Sequence, residues 1–239
     1  MASITYDPEF YEARAGEIAI ARKILELVFE YIRPSSIVDL GTAAGSWLAA
    51  GKELGVTLVR GVDGEWVPQE QRHIQAEEFI SADLETAIPD LGRFDLAICT
   101  EVLEHISAEA SVRAVEWLCR SAPVVLFSAA IPFQGGTHHV NEAWQSQWAA
   151  LFKEYGHLTF DLIRPRIWSD DSLPYWYRQN ILLMANEDSA KRLALPTTST
   201  VLDCVHPGLY LPRAARFNRL DARSFNGRLR SLRRLFTAT

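Results

Sequence analysis

The chain has 239 residues, 48% of them hydrophobic, enough to bury one sizeable core, so one domain with appendages is expected. A formal net charge of −6 gives no general attraction to nucleic acid or to an anionic membrane surface. The three separated cysteines, the absence of a basic leader and the lack of any apolar run of spanning length point to free thiols in a cytoplasmic protein.

In chain order, Asp7-Pro8 reads as an N-cap followed by proline at the first helical position. From Ile18 to Ile32 the apolar residues Ile18, Ala21, Ile24, Leu25, Val28 and Ile32 recur at helical spacing, and Pro34 ends the element. The run "SIVDL", between proline and glycine, predicts a buried first strand. Residues 44–54 predict a short helix closed by Gly55, and "VTLVRGVD" a second strand. "EEFISADL" and "RFDLAICTE" predict the third and fourth strands. A helix over Ala108–Ala122 stops at Pro123, and "PVVLFSAAIP" follows as the fifth strand. Asn141 is placed to cap a helix reaching Tyr155, with Gly156 as its stop. Its Trp144, Trp148, Leu151, Phe152 and Tyr155 fall at helical spacing and read as core. "LTFDLIRPRIW" and "YRQNILLMA" supply the last two strands. "SDDSLPYWYRQN" predicts a hairpin before the last of them, with Tyr175, Trp176 and Tyr177 offering either an aromatic wall for a substrate or core packing. Strands alternating with helices in this way predict an α/β fold, a mostly parallel sheet covered on both faces. In such sheets ligands bind beyond the carboxyl ends of the strands, so the residues just after each strand matter most.

After the first strand, "DLGTAAGS" supplies Gly41 and Gly45 with Ala43 between them. A dinucleotide fingerprint requires glycine at position 43 and again at 46, and neither is present. An acid two residues ahead of a glycine turn suits a ligand with a cationic amino group and no phosphate, which Asp39 would face. Asp63, at the end of the second strand, can accept hydrogen bonds from both hydroxyls of a ribose. Asp83, after "FISA", can take the exocyclic amine of a purine. Each aspartate alone reads better as a surface-loop acid; three at successive strand ends do not.

Together "VDLGTAAGSW", "GVDG", "SADL" and "FDLAICTEVLEHIS" resemble the class I S-adenosylmethionine-dependent methyltransferases over roughly residues 35–185. The resemblance implies a Rossmann-like, seven-stranded sheet with the last strand antiparallel, and S-adenosylmethionine as cofactor. It places Gly41, Ala43 and Gly45 under the methionine portion, Asp39 near its amino group, Asp63 and Gly64 at the ribose, and Asp83 with Leu84 at the adenine. Cys99 and Thr100 would lie beside the sulfonium. Ala43 departs from the glycine usual in the family.

Methyl transfer to an alcohol needs a base, or a metal that lowers the pKa of the hydroxyl. In "TEVLEHI", Glu101, Glu104 and His105 are spaced to share one face of a helix turn. In "QGGTHHVNEAW", His138 and His139 follow a glycine pair after the fifth strand. This stretch resembles the "GGT-x-HVNE-x-W" pattern of a bacterial methyltransferase group associated with glycan or secondary-metabolite pathways. On that resemblance His139 is the base, with Glu104 and His105 completing the catalytic set, and His138 stands where the group commonly has glycine. The acceptor expected is a small molecule or glycan carrying a hydroxyl. Glu-x-x-Glu-His with a distant histidine also resembles the metal site of small-RNA 3′-terminal 2′-O-methyltransferases. "EVLEH" occurs in metal-independent methyltransferases too, and the acidic chain argues against RNA, so no metal ligand is assigned.

The expected divisions are an N-terminal helical cap over 1–34, the methyltransferase domain over 35–186 and an extension over 187–239. The extension is basic, with "RLRSLRRLF" able to form an apolar stripe on a basic helix. It reads as a solvated or folded-back tail, with docking on a membrane surface or a protein as the sharper alternative. Ala43 and this tail are also the features that would suit a cofactor-binding protein without catalysis.

Overall fold

The computed structural model describes residues 16–196 and 202–217; the Asp7-Pro8 cap and the arginines from Arg219 onward lie outside the described residues. Helix α1 (Glu17–Val28) turns Ala21, Ile24, Leu25 and Val28 inward, the spacing of one buried helical face. It packs on α2 (Ser46–Glu53), whose end is marked by Gly55 at φ +98°. The strands are β1 (Ser36–Leu40), β2 (Leu58–Asp63), β3 (Phe79–Ser81), β4 (Leu96–Thr100), β5 (Val124–Ser128), β6 (His157–Phe160) and β7 (Leu182–Asn186). They form one seven-stranded sheet in the order β3-β2-β1-β4-β5-β7-β6. All pairings are parallel except those of β7, which runs antiparallel to both β5 and β6.

Period-two alternation divides the strand side chains between two cores. Ile37, Ile98, Leu126 and Leu183 face the side covered by α1 and α2. Val38, Cys99, Phe127 and Met184 face the side covered by α3 (Ala108–Ser121) and α4 (Gln145–Glu154). Both faces being buried, the central strands carry near-continuous apolar runs, as in "LAICT" and "VVLFS". Every β1, β2 and β4 carboxyl end therefore opens on the same edge of the sheet, with β1 between β2 and β4. The strand order reverses at β1, since β2 leaves it on one side and β4 on the other.

Three local expectations are corrected. Asn141 does not cap α4, which starts after Trp144; its amide instead donates to Leu103 O and Ser111 Oγ, holding the preceding loop. "LTFDLIRPRIW" is a strand only to Phe160, and Arg164–Ile167 turns helical (α5) because Arg164 is drawn back onto Asp161. The segment before β7 is no hairpin: Pro174 precedes the helix α6 (Tyr175–Asn180), and Tyr177 meets Trp47 edge-on at 5.6 Å, which is core packing. The α7 helix (Glu187–Arg192) follows β7 directly, capped by Asn186. A second compact unit begins at Val205, and within it residues 207–217 are helical. No helix among the described residues is long and apolar enough to cross a membrane.

Candidate active site

The turn after β1 is built from left-handed backbone. Gly41 lies at φ +77°, Ala43 at +46° and Gly45 at +82°. Glycine takes such angles without strain, whereas alanine does so at a cost of about 1 kcal/mol or more. A Cβ on Gly41 would overlap Val102, and one on Gly45 would lie 2.9 Å from Ile74. Both glycines are thus required by the turn and by the chain's own packing.

Asp39, in β1, is 1% exposed, and its Oδ2 has no hydrogen-bond partner among the described residues. Burial raises its pKa to about 7; the neighbouring Thr42 hydroxyl opposes the rise and the charge of nearby Asp63 adds to it. A buried carboxyl at a strand end, touched among the described residues only by the Thr42 hydroxyl, fits a cationic ligand group. Asp63 ends β2 and is anchored from three sides. Oδ2 accepts the Ala43 N–H at 2.7 Å, and Oδ1 accepts the Gly64 N–H at 2.7 Å and the Trp66 indole N–H at 3.0 Å. Burial pushes its pKa up, and the two backbone donors oppose that.

Asp83 stands apart in character. It lies two residues beyond Ser81, the register partner of Asp63, and Ala82 N–H donates to Asp63 O at 2.8 Å. Its side chain is exposed and accepts the Glu85 N–H at 3.0 Å, while Leu84 packs on the α3 side of the sheet. The geometry brings Asp39 and Asp63 into direct electrostatic contact and leaves Asp83 at the rim.

At the end of β4, the Cys99 thiol is fully buried and its pKa is driven well up, first by burial and then by the charges of Asp39, Glu104, Asp63 and Glu101. Four carboxylates therefore converge on one strand end. Thr100 is buried beside it. Glu101 does not share a helix face with Glu104 and His105: it takes φ +54°, and Leu103–His105 is a single 3-10 turn, too short to present a face. Its carboxylate is held by neutral amides, Oε1 accepting Asn180 Nδ2 at 3.1 Å and Oε2 accepting Gln134 Nε2 at 3.2 Å. Gln134 Oε1 in turn accepts Gln179 Nε2 and Asn180 Nδ2. Glu104 is 0% exposed; Oε1 accepts the Ala130 N–H, and the Glu101 carboxyl lies within hydrogen-bond reach of its own. Burial and the Glu101 charge push its pKa well up.

The loop after β5 reaches this turn. Val140 and Asn141 N–H groups donate to Glu104 O, and the His139 ring meets His105 edge-on at 4.8 Å. Glu104, His105 and His139 each offer a ligand-capable atom within 4.8 Å of the others. His139 Nδ1 lies 2.9 Å from Glu142 Oε1, and its ring sits over Gly136, where a Cβ would clash. His138 is exposed, at φ +60°.

Sequence reasoning missed Glu142, Trp66 and the Gln134–Gln179–Asn180 amides. Glu142 was findable, three residues beyond His139 in the same loop. The amides carried no signal, because Gln134 and Asn180 meet Glu101 only through the folding of distant segments.

Comparison with known proteins agrees with this architecture. A protein from Nostoc punctiforme assigned as an O-methyltransferase superposes with TM-score 0.53 at 15% identity, covering 74% of this chain and 59% of its own. Magnesium protoporphyrin IX methyltransferase from Synechocystis, solved with bound S-adenosylhomocysteine, gives 0.52 at 16% identity, over 77% of this chain and 89% of its own. Mitomycin 7-O-methyltransferase gives 0.51 at 16% identity, covering 75% and 58%. The chain thus spans under two thirds of the length of two of these structures. No curated protein sequence matches it. The family described as "Methyltransferase domain" matches residues 11–179, and the chain belongs to that family, with the fold of the class I S-adenosylmethionine-dependent methyltransferases.

Proposed function

We propose that the protein moves a methyl group from S-adenosylmethionine to a hydroxyl of a small polar acceptor, such as a sugar or a secondary metabolite. The observation that carries this reading is the convergence of Asp39, Asp63, Glu101 and Glu104 on Cys99 at the switch point of the sheet. Such a set of buried carboxyls favours a ligand bearing both an ammonium and a sulfonium, whose charges draw the acids into the ionised form. Asp39 Oδ2 would take the amino group, Asp63 the ribose hydroxyls, and Asp83 with Leu84 the adenine edge. The turn through Gly41, Ala43 and Gly45, with Gly64, would border the cofactor, and Cys99 and Thr100 would flank its sulfur.

The bound cofactor supplies a methyl carbon already activated by its sulfonium, so displacement by a hydroxyl oxygen leaves one proton to remove. His139 is the group we assign to that proton. Glu142, bonded at Nδ1, orients the ring and supports the imidazolium that forms. Gly136 gives the ring room, and the anchoring of Val140 and Asn141 on Glu104 O fixes the loop over the strand end. Structural neighbours named as O-methyltransferases support an oxygen acceptor.

A second reading is favoured by the clustering of Glu104, His105 and His139. One buried carboxylate and two imidazoles suit a divalent transition ion, and Glu142 would then be the carboxylate that fixes a ligating histidine. Methyl transfer from labelled cofactor, assayed over a panel of hydroxylated sugars and metabolites, tests the proposal. A chelator separates the readings: undiminished turnover supports a histidine base, and loss restored by manganese supports the metal. Failure of the protein to bind the cofactor would refute both.

A further inference from the structure

The carboxylate assigned to the ribose already has an internal partner on its outer side. Asp63 Oδ1 accepts the Gly64 N–H from within and the Trp66 indole N–H at 3.0 Å. Oδ2 is engaged by the Ala43 N–H. A vicinal diol is best held when it donates one hydroxyl to each carboxylate oxygen, and each oxygen accepts about two hydrogen bonds. The indole therefore occupies an accepting direction that a ribose hydroxyl needs.

Its surroundings allow it to leave. Trp66 is 45% exposed, whereas the Asp63 carboxylate that it contacts is buried. The backbone on either side is anchored by the Gly64 N–H on Asp63 and by Val67, which is buried and whose carbonyl accepts Arg72 Nε. The ring lies where a side chain on Gly64 would be, so only glycine at 64 permits this pose. Rotation about the Trp66 side-chain bonds thus releases the indole without disturbing the loop.

The geometry points to Trp66 as a competitor for the nucleoside: its indole N–H displaces, and is displaced by, a ribose hydroxyl at Asp63. The inference rests on the assignment of Asp63 to the ribose. Its consequence is that wild-type binding is weaker, and product release faster, than the site's remaining contacts would give. Trp66→Phe keeps an aromatic ring and removes the donor.

The test is calorimetric titration of S-adenosylhomocysteine into the full chain as wild type, Trp66→Phe and Asp63→Asn, with stopped-flow dissociation rates for the first two. Expected is about threefold to tenfold tighter binding in Trp66→Phe, with slower dissociation, the size set by one half-exposed hydrogen bond to a charged group. Unchanged or weaker binding in Trp66→Phe, alongside loss of binding in Asp63→Asn, overturns the competition and leaves the ribose assignment standing. Undiminished binding in Asp63→Asn overturns the ribose assignment and the competition with it.

Discussion

His139 Nδ1 lies 2.9 Å from Glu142 Oε1, and the same carboxylate accepts the backbone N–H groups of Phe133 and Gly135. The acid thereby fixes both the ring and the turn that carries it. Replacing Glu142 by Gln removes the charge that stabilises an imidazolium. The expected result is a fall in kcat of about 10- to 100-fold with cofactor affinity unchanged, read by steady-state kinetics and calorimetry.

Asp39 makes the site sensitive to pH. Its folded pKa of about 7 lies above the unfolded value of about 3.9. Between those values the folded state binds more protons than the unfolded one, so stability falls as pH rises from about 4 to about 7. An ammonium ligand needs the ionised form, so cofactor affinity should instead rise with pH through 7. Asp39→Asn should flatten both dependences, as measured by denaturant midpoints and calorimetric titrations across about pH 5 to 8.

Ala43 holds φ +46° where glycine would be unstrained. Ala43→Gly should stabilise the fold by about 0.5–1 kcal/mol, since relief of strain exceeds the added unfolded-state entropy. A thermal melt should rise by about 1–4 °C for a domain of this size. An unchanged or lower midpoint would show that the turn is not strained at this residue.

The amide cage around Glu101 is a stability element. Asn180→Leu leaves Glu101 Oε1 and Gln134 Oε1 each without one donor in a buried setting. A loss of about 1–3 kcal/mol is expected in urea denaturation, an unsatisfied acceptor costing more than a bond contributes.

Much of this fold was legible in the residues because each signal acts locally. Pro34 and Gly41 bracket β1, Gly55 closes α2, and Pro123 stops α3. The acids Asp39 and Asp63 were visible because a strand end has one possible exit face in a doubly covered sheet. Where the reading failed, tertiary contacts overrode local preference. The aromatic run Tyr175–Tyr177 looks strand-like, yet it turns helical after Pro174 and packs Tyr177 on Trp47. Glu101 looked helical in "TEVLEH", but its carboxylate is drawn to Asn180 and Gln134, which holds the backbone left-handed. Asn141 has a cap's accepting oxygen, but α4 starts only after Trp144, and the Asn141 amide nitrogen donates to Leu103 O and Ser111 Oγ instead.

The central claim is that Asp39 and Asp63 jointly seat one cationic nucleoside at the switch point. Equilibrium binding of S-adenosylmethionine to the wild type, Asp39→Ala and Asp63→Ala tests it most directly. The account predicts one-to-one binding in the wild type and at least a tenfold loss of affinity in each variant, with the fold intact by circular dichroism. Wild-type affinity retained in both variants would contradict it.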